Sequence, residues 1–469
     1  MVFSSLTFMF IFLPIVLILY YIVPKKFKNL FILISGLVFY AWGEPIYVLI
    51  MLISTLIDYT AGLLIYKFDN SKVIKRICLI VSLVMNIGLL GVFKYGGFIM
   101  QNIDALLGTA LYDPSHALPL PIGISFFTFQ SMSYTIDMYL GKIKVQKNPI
   151  SFAAFVTLFP QIVAGPIVRY DDIAKELDDR TINIDCIYEG ILKFITGIGK
   201  KVLIANNIGM LWTSVKGMET SELSVLTAWL GILAFTLQIY FDFSGYSDMA
   251  IGLGKMMGFN FPQNFNYPYQ SKSISEFWRR WHITLGAWFR SYVYFPLGGN
   301  RKGKGRTVFN LAVVWLLTGI WHGASWNFIL WGVLYGFFII LEKLFLRNLL
   351  EKIPSFFSWL YTIVLVMLGW VLFDTVDIPT AFGYIGAMFG SNGTLADNTA
   401  MYSLMNYGIM FIIGIFACTD IFSRTINKLK EKMPVLINYS TIIAKAAVMV
   451  LSTAYLADAT YNPFLYFNF

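Results

Sequence analysis

Residues 307–341 read TVFNLAVVWLLTGIWHGASWNFILWGVLYGFFIIL, a run of 35 positions without an Asp, Glu, Lys or Arg. As one helix rising 1.5 Å per residue it would be about 50 Å long, against a hydrocarbon core of about 30 Å. Arg301, Lys302, Lys304 and Arg306 precede it, and Lys343, Arg347 and Lys352 follow it. Basic residues in short loops stay on the cytoplasmic side, so both ends are expected there. The run must therefore enter and return. We expect two shorter legs that turn at WHGASWN, Trp321 to Asn327, which would carry His322 deep into the bilayer. Two full spans joined by a short external turn are the alternative, and the run looks too short for them.

The rest of the chain agrees with a membrane reading. Of its 469 residues 57% are hydrophobic and 13% charged, and mean hydropathy is +0.67. Soluble domains carry about 25% charged residues, so this much apolar surface has no water-soluble shape that hides it. Apolar segments recur at 6–23, 30–42, 46–66, 78–93, 119–140, 223–240, 357–373, 408–422 and 441–457. The first lacks cleavage-site chemistry and reads as a transmembrane helix, not a removed signal. Several fall short of the roughly 20 residues of a perpendicular span, so tilted, broken or re-entrant pieces are expected. Most of the 35 basic residues sit in six short clusters between the segments. Alternation of these clusters with loops free of positive charge, 95–118 and 374–407, places both termini outside. Lys445 is expected to snorkel from the last segment. No linker divides the chain, so residues 1–469 are expected to form one polytopic domain with its motif core at about 119–341.

Partners and cofactors follow the same logic. The formal charge of +9 is interspersed among apolar segments, a pattern that orients a membrane protein and does not suit nucleic acid. Cys78, Cys186 and Cys418 are far apart, so neither a disulfide framework nor a metal site is expected.

Few side chains remain for chemistry. His116 lies in a loop of turn formers and reads as exposed. An ionisable group at membrane depth is rare unless it serves a polar cavity. From the residue alone His322 is as well explained by a neutral imidazole packing helices. His282 lies in SISEFWRRWHITLGAWFR, residues 273–290, where Ser273 and Glu276 make a capping box. At 100° per residue Ile274, Phe277, Trp278, Trp281, Leu285 and Trp288 share a face, with Arg279, Arg280 and Arg290 opposite and His282 on the boundary. That pattern predicts one interfacial helix. Its arginines either face anionic lipid or form a mouth for a phosphate-bearing acyl donor. There is no Gly-x-Ser-x-Gly elbow, Walker A loop or His-Glu-x-x-His, and GLGKMMG at 252–258 has one residue too many for a dinucleotide fingerprint. A lone deep His suits general-base work, since imidazole titrates near pH 6.5.

The run from Tyr240, YFDFSGYSDMAIGLGKMMGFNFPQNFNYPYQSKSISEFWRRWHITLGAWFR, resembles the membrane-bound O-acyltransferase family in its bacterial alginate O-acetylation branch. LTGIWHGASWNFILWG at 317–332, PIGISFFTFQSMSYTIDMYLG from Pro121 and LFPQIVAGPIVRY from Leu158 carry the same likeness. The resemblance implies an all-α ring of transmembrane, re-entrant and interfacial helices around a central tunnel. It also implies an acyl group passed from a cytoplasmic thioester to an outer hydroxyl. By the same likeness His322 matches the catalytic histidine and His282 the second motif histidine. Trp321, Asn327, Asp242, Tyr246, Asp248 and Asn264 then line or brace the tunnel, and Asp242 needs a polar partner in lipid. Acetyl-coenzyme A is the implied donor substrate, with no bound cofactor. A cell-envelope polysaccharide is the implied acceptor, reached through a separate extracytoplasmic esterase-like partner, and the location is the bacterial cytoplasmic membrane. D-alanyl transfer to teichoic acid from a carrier-protein thioester is the nearest alternative. A transporter without chemistry is more remote, because no internal repeat is visible.

Overall fold

The computed structural model describes residues 1–113, 118–163, 165–458 and 465, and among these every regular element is helical. Among the described residues seven helices are long and apolar enough to cross a membrane: Val48–Lys67, Lys72–Leu107, Val225–Met256, Trp326–Leu350, Ser355–Asp374, Asn398–Ala417 and Pro434–Asp458. The chain is a multi-pass, all-α membrane protein. Two of these run well past the apolar segments that announced them. Val225–Met256 continues through FDFSGYSDMAIGLGKM, beyond the apolar segment that ends at residue 240. One helical stretch was missed altogether: Ile184–Gly199, a π segment Lys200–Ala205 and Asn206–Lys216 follow without interruption.

Contacts divide the chain into two compact units, Met1–Phe194 with Met249–Pro262, and Ile195–Asp248 with Gln263–Phe469. In the first unit an aromatic cluster of Phe3, Phe8, Phe12, Phe39 and Phe159 fills the core. Helices Val48–Lys67, Lys72–Leu90 and Ile124–Tyr139 pack together around Asp58, which is wholly buried. Ser82 Oγ donates to its carboxylate at 2.5 Å, and the Asn86 amide spans both oxygens at 2.9 and 3.0 Å.

In the second unit the run 307–341 folds as a hairpin. Gly303–His322 and Trp326–Leu341 pack against each other, with the turn at residues 323–325. Their closeness needs glycine: a Cβ on Gly319 would lie 2.4 Å from the Phe328 carbonyl oxygen, and one on Gly332 would lie 2.5 Å from that of Trp315. Small residues at such crossings let helix backbones touch, which is how helices associate where lipid is as apolar as leucine. The first leg has 20 residues, about 30 Å at 1.5 Å per residue. The second runs on to Leu350 as a 25-residue stretch. Of the two legs only Trp326–Leu350 is both long and apolar enough to cross a membrane; Gly303–His322 has the length but not the hydropathy. Counting only uncharged residues undercounted both legs, because each helix extends into its basic flank. Lys445 is also not at a helix end: it lies well inside Pro434–Asp458 and donates to Thr196 Oγ1 at 2.6 Å.

Candidate active site

Residues 273–290 are not one helix. Ile274–Arg280 and Ile283–Phe289 are separated by Trp281 and by His282, whose φ of 43° is left-handed. A bulky residue there is strained and needs outside support. Asn264 supplies it. Its carbonyl oxygen accepts from Ile283 N at 2.9 Å, and its side-chain oxygen accepts from Thr284 N at 3.3 Å and Thr284 Oγ1 at 2.9 Å. The same oxygen lies 3.0 Å from His282 Nδ1. An oxygen that already accepts from a backbone N–H is an acceptor here, so His282 carries its proton on Nδ1 and keeps a lone pair on Nε2. His282 is 2% exposed, and burial lowers its pKa to about 3, which holds it neutral.

The interfacial reading of these helices is corrected as well. Phe277, Trp281, Leu285 and Trp288 are buried within the unit, with Trp281 against Trp370 at 4.9 Å between ring centroids. Aromatic rings that looked lipid-facing from periodicity are core. The Ser273 cap does form, accepting from Glu276 N at 3.0 Å, but the Glu276 carboxylate accepts from Lys272 N at 2.9 Å. Buried Glu342 caps the same helix, accepting from Ile274 N and Ser275 N at 2.7 and 2.8 Å. Of the three arginines, Arg279 and Arg290 are exposed, whereas Arg280 is held by Glu276 at 2.8 Å.

His322 is the last residue of the first hairpin leg and is 5% exposed. Trp321, Trp331 and Phe373 surround its ring at centroid distances of 4.9, 4.8 and 5.3 Å. Trp321 also reaches His282, at 6.1 Å, so one indole stands between the two imidazoles. His322 borders a narrow cavity of about 10 Å³ with Asp242, Phe243, Trp331, Trp370 and Leu465 in its wall. That is room for about one water. The Trp331 indole N–H is buried and has no hydrogen-bond partner among the described residues.

Asp242 has the polar partner that the sequence demanded without naming. Lys201 Nζ lies 2.7 Å from its Oδ1, both side chains almost wholly buried, and Leu465 N donates to Oδ2 at 2.9 Å. The approach depends on Gly245, where a Cβ would lie 2.8 Å from the Gly197 carbonyl oxygen. Asp248 pairs in parallel with Lys200 at 2.6 Å. Tyr246 is buried on the same helix, and the Asn327 amide donates to the Thr375 carbonyl at 2.9 Å, bracing the start of the second leg. Lys200, Lys201, Trp331 and Leu465 were missed. Paired lysines inside the apolar stretch 191–207 were the available signal. His116 lies outside the described residues. Among the described residues, no group of three His, Cys, Asp or Glu side chains could hold a metal ion.

Residues 47–373 match the model of the MBOAT, membrane-bound O-acyltransferase, family. The chain is 38% identical to a probable alginate O-acetylase of Pseudomonas putida over the full length of both. It is 35% identical to a peptidoglycan O-acetyltransferase of Helicobacter pylori, covering 84% of this chain and 80% of that one. A teichoic acid D-alanyltransferase of Bacillus subtilis is 30% identical over 53% of this chain and 64% of its own.

Proposed function

The chain belongs to the membrane-bound O-acyltransferase family, and we propose that it passes acetyl from cytoplasmic acetyl-coenzyme A to a hydroxyl of an extracytoplasmic polysaccharide. The relatives matched along their full or nearly full length are named for O-acetylation of alginate and of peptidoglycan, which favours acetyl over D-alanyl. The setting is the cytoplasmic membrane of a bacterium, and a separate outer partner completes delivery to the polymer.

In this reading neutral His322 takes the hydroxyl proton as that oxygen attacks the thioester carbonyl carbon. A C–O bond forms and the carbonyl oxygen becomes an oxyanion. The Trp331 N–H is the donor available to it. The C–S bond then breaks, and the departing thiolate takes the proton from the imidazolium. Asp242, neutralised by Lys201, shapes the polar wall, while Asn264 and His282 hold Trp321 behind the base. At about 10 Å³ the cavity is smaller than an acetyl group, so the aromatic walls must move for substrate to enter. The observation that carries the proposal is the convergence of His322, Asp242 and an unpartnered indole N–H on one cavity.

The test uses purified full-length protein with acetyl-labelled coenzyme A in one arm and a D-alanyl carrier-protein thioester in the other. His322→Gln should cut acyl release by about 10²–10⁴ at unchanged thermal midpoint. Release confined to the D-alanyl arm would move the donor assignment, and release that ignores the substitution would overturn the role of His322.

A further inference from the structure

The first unit holds a second cavity that the acyl-transfer reading does not use. After the first apolar segment the chain reads KKFK, Lys25–Lys28, on the side expected to face the cytoplasm. Lys25, Lys26 and Lys28 line a cavity of about 440 Å³ together with Arg180, and Asp178 is the acid in its wall. Four cations thus face one carboxylate.

How each cation is held decides what the cavity can bind. Arg180 makes three hydrogen bonds, to Tyr20 Oη at 2.8 Å, the Glu176 carbonyl at 3.0 Å and Asn29 Oδ1 at 2.7 Å. All three acceptors are neutral, and the Phe259 ring lies 4.7 Å from the guanidinium carbon. The guanidinium is fixed in place, yet no carboxylate among the described residues cancels its charge. Lys28 rests on the Tyr20 ring at 4.5 Å, near enough to Arg180 and Lys25 to feel both as like charges. Neither Lys26 nor Lys28 has an acid partner among the described residues. Lys25 pairs with Asp179 at 2.5 Å, but both side chains are about 70% exposed, where such a pair holds little.

Four cations gathered against one wall carboxylate repel one another unless an anion joins them. A volume of 440 Å³ suits a ligand of headgroup or nucleotide size, and Arg with Lys is the donor set that matches phosphate oxygens. We propose that this cavity binds a phosphate-bearing anion at the cytoplasmic end of the first span. The chemistry is shared by an anionic phospholipid headgroup, as in other basic pockets beside spans, and by a soluble phosphorylated nucleotide. The proposal stands apart from the assignment of His322.

Full-length protein in phosphatidylcholine nanodiscs provides the test. One arm raises the mole fraction of phosphatidylglycerol, and the other adds adenosine 3′,5′-bisphosphate to neutral discs, with thermal midpoint and direct binding as readouts. Saturable stabilisation in the first arm identifies a lipid site, and in the second a soluble ligand. Lys26→Gln with Lys28→Gln should weaken whichever response occurs by about tenfold or more, and raised salt should weaken it further. Lys28→Arg should preserve it. No saturable response in either arm, or a double variant that responds as the parent does, would overturn the proposal.

Discussion

Two buried carboxylates in apolar helices have opposite surroundings. Asp58 in the first unit is wholly buried and satisfied by neutral donors, Ser82 and Asn86, with no cation against it among the described residues. Asp242 in the second unit is paired with a buried lysine and borders the cavity that His322 shares. Both break the rule that lipid excludes charge, so burial alone marks neither as a site. What separates them is the open space beside the acid. Asp58 ties three helices together, whereas Asp242 lines the small cavity that His322 also borders.

The largest effect expected from this contrast falls on Lys201. Lys201→Met leaves Asp242 buried without its cation, which should cost about 3–5 kcal/mol of stability. Removing both charges, Lys201→Met with Asp242→Leu, should recover most of that loss, because a buried pair replaced by apolar groups is close to neutral. Acyl transfer should not recover with it. Denaturant or thermal unfolding, read beside labelled acyl release, separates the two. If the double variant is both stable and active, Asp242 is structural and the contrast with Asp58 fails.

A smaller effect is expected at Asp58. Asp58→Asn keeps an acceptor for Ser82 and should leave acyl release within about twofold of the parent. Asp58→Leu strands the buried Ser82 and Asn86 groups and should cost about 1–3 kcal/mol. An Asp58→Asn protein that keeps its thermal midpoint but loses transfer would place this acid in the chemistry and dissolve the distinction.

How much of this was legible follows from where each signal lives. The hairpin and its His322 were readable because 35 uncharged residues between basic flanks admit few solutions. Leg length was misjudged because helix ends do not respect the apolar boundary: the first leg starts at Gly303, among the lysines. Asp242 demanded a partner, but Lys201 is 41 positions away on another helix, and nothing local names it. The break at His282 was invisible for a related reason. Capping and 100° periodicity favour a continuous helix through residue 290, and it is Asn264, from an adjacent loop, that captures Ile283, Thr284 and the imidazole together. Tertiary hydrogen bonds overrode local preference there, as they do at strained positions built for a site.

His282 gives the finest test of the comparison, because like Asp58 it is buried against a neutral neighbour, here the Asn264 side-chain oxygen. Its folded pKa, held by burial at about 3, lies below the unfolded imidazole value of about 6.5. Above pH 6.5 both states are neutral and the group contributes no pH dependence. As pH falls below 6.5 the unfolded chain takes a proton that the folded protein refuses, so stability declines progressively towards pH 3. The parent's thermal midpoint should therefore drop more between pH 7 and pH 5 than that of His282→Gln. An equal slope in the two proteins would mean that the ring protonates in place, with a counter-charge or water beside it, and His282 would then belong with Asp242 and not with Asp58.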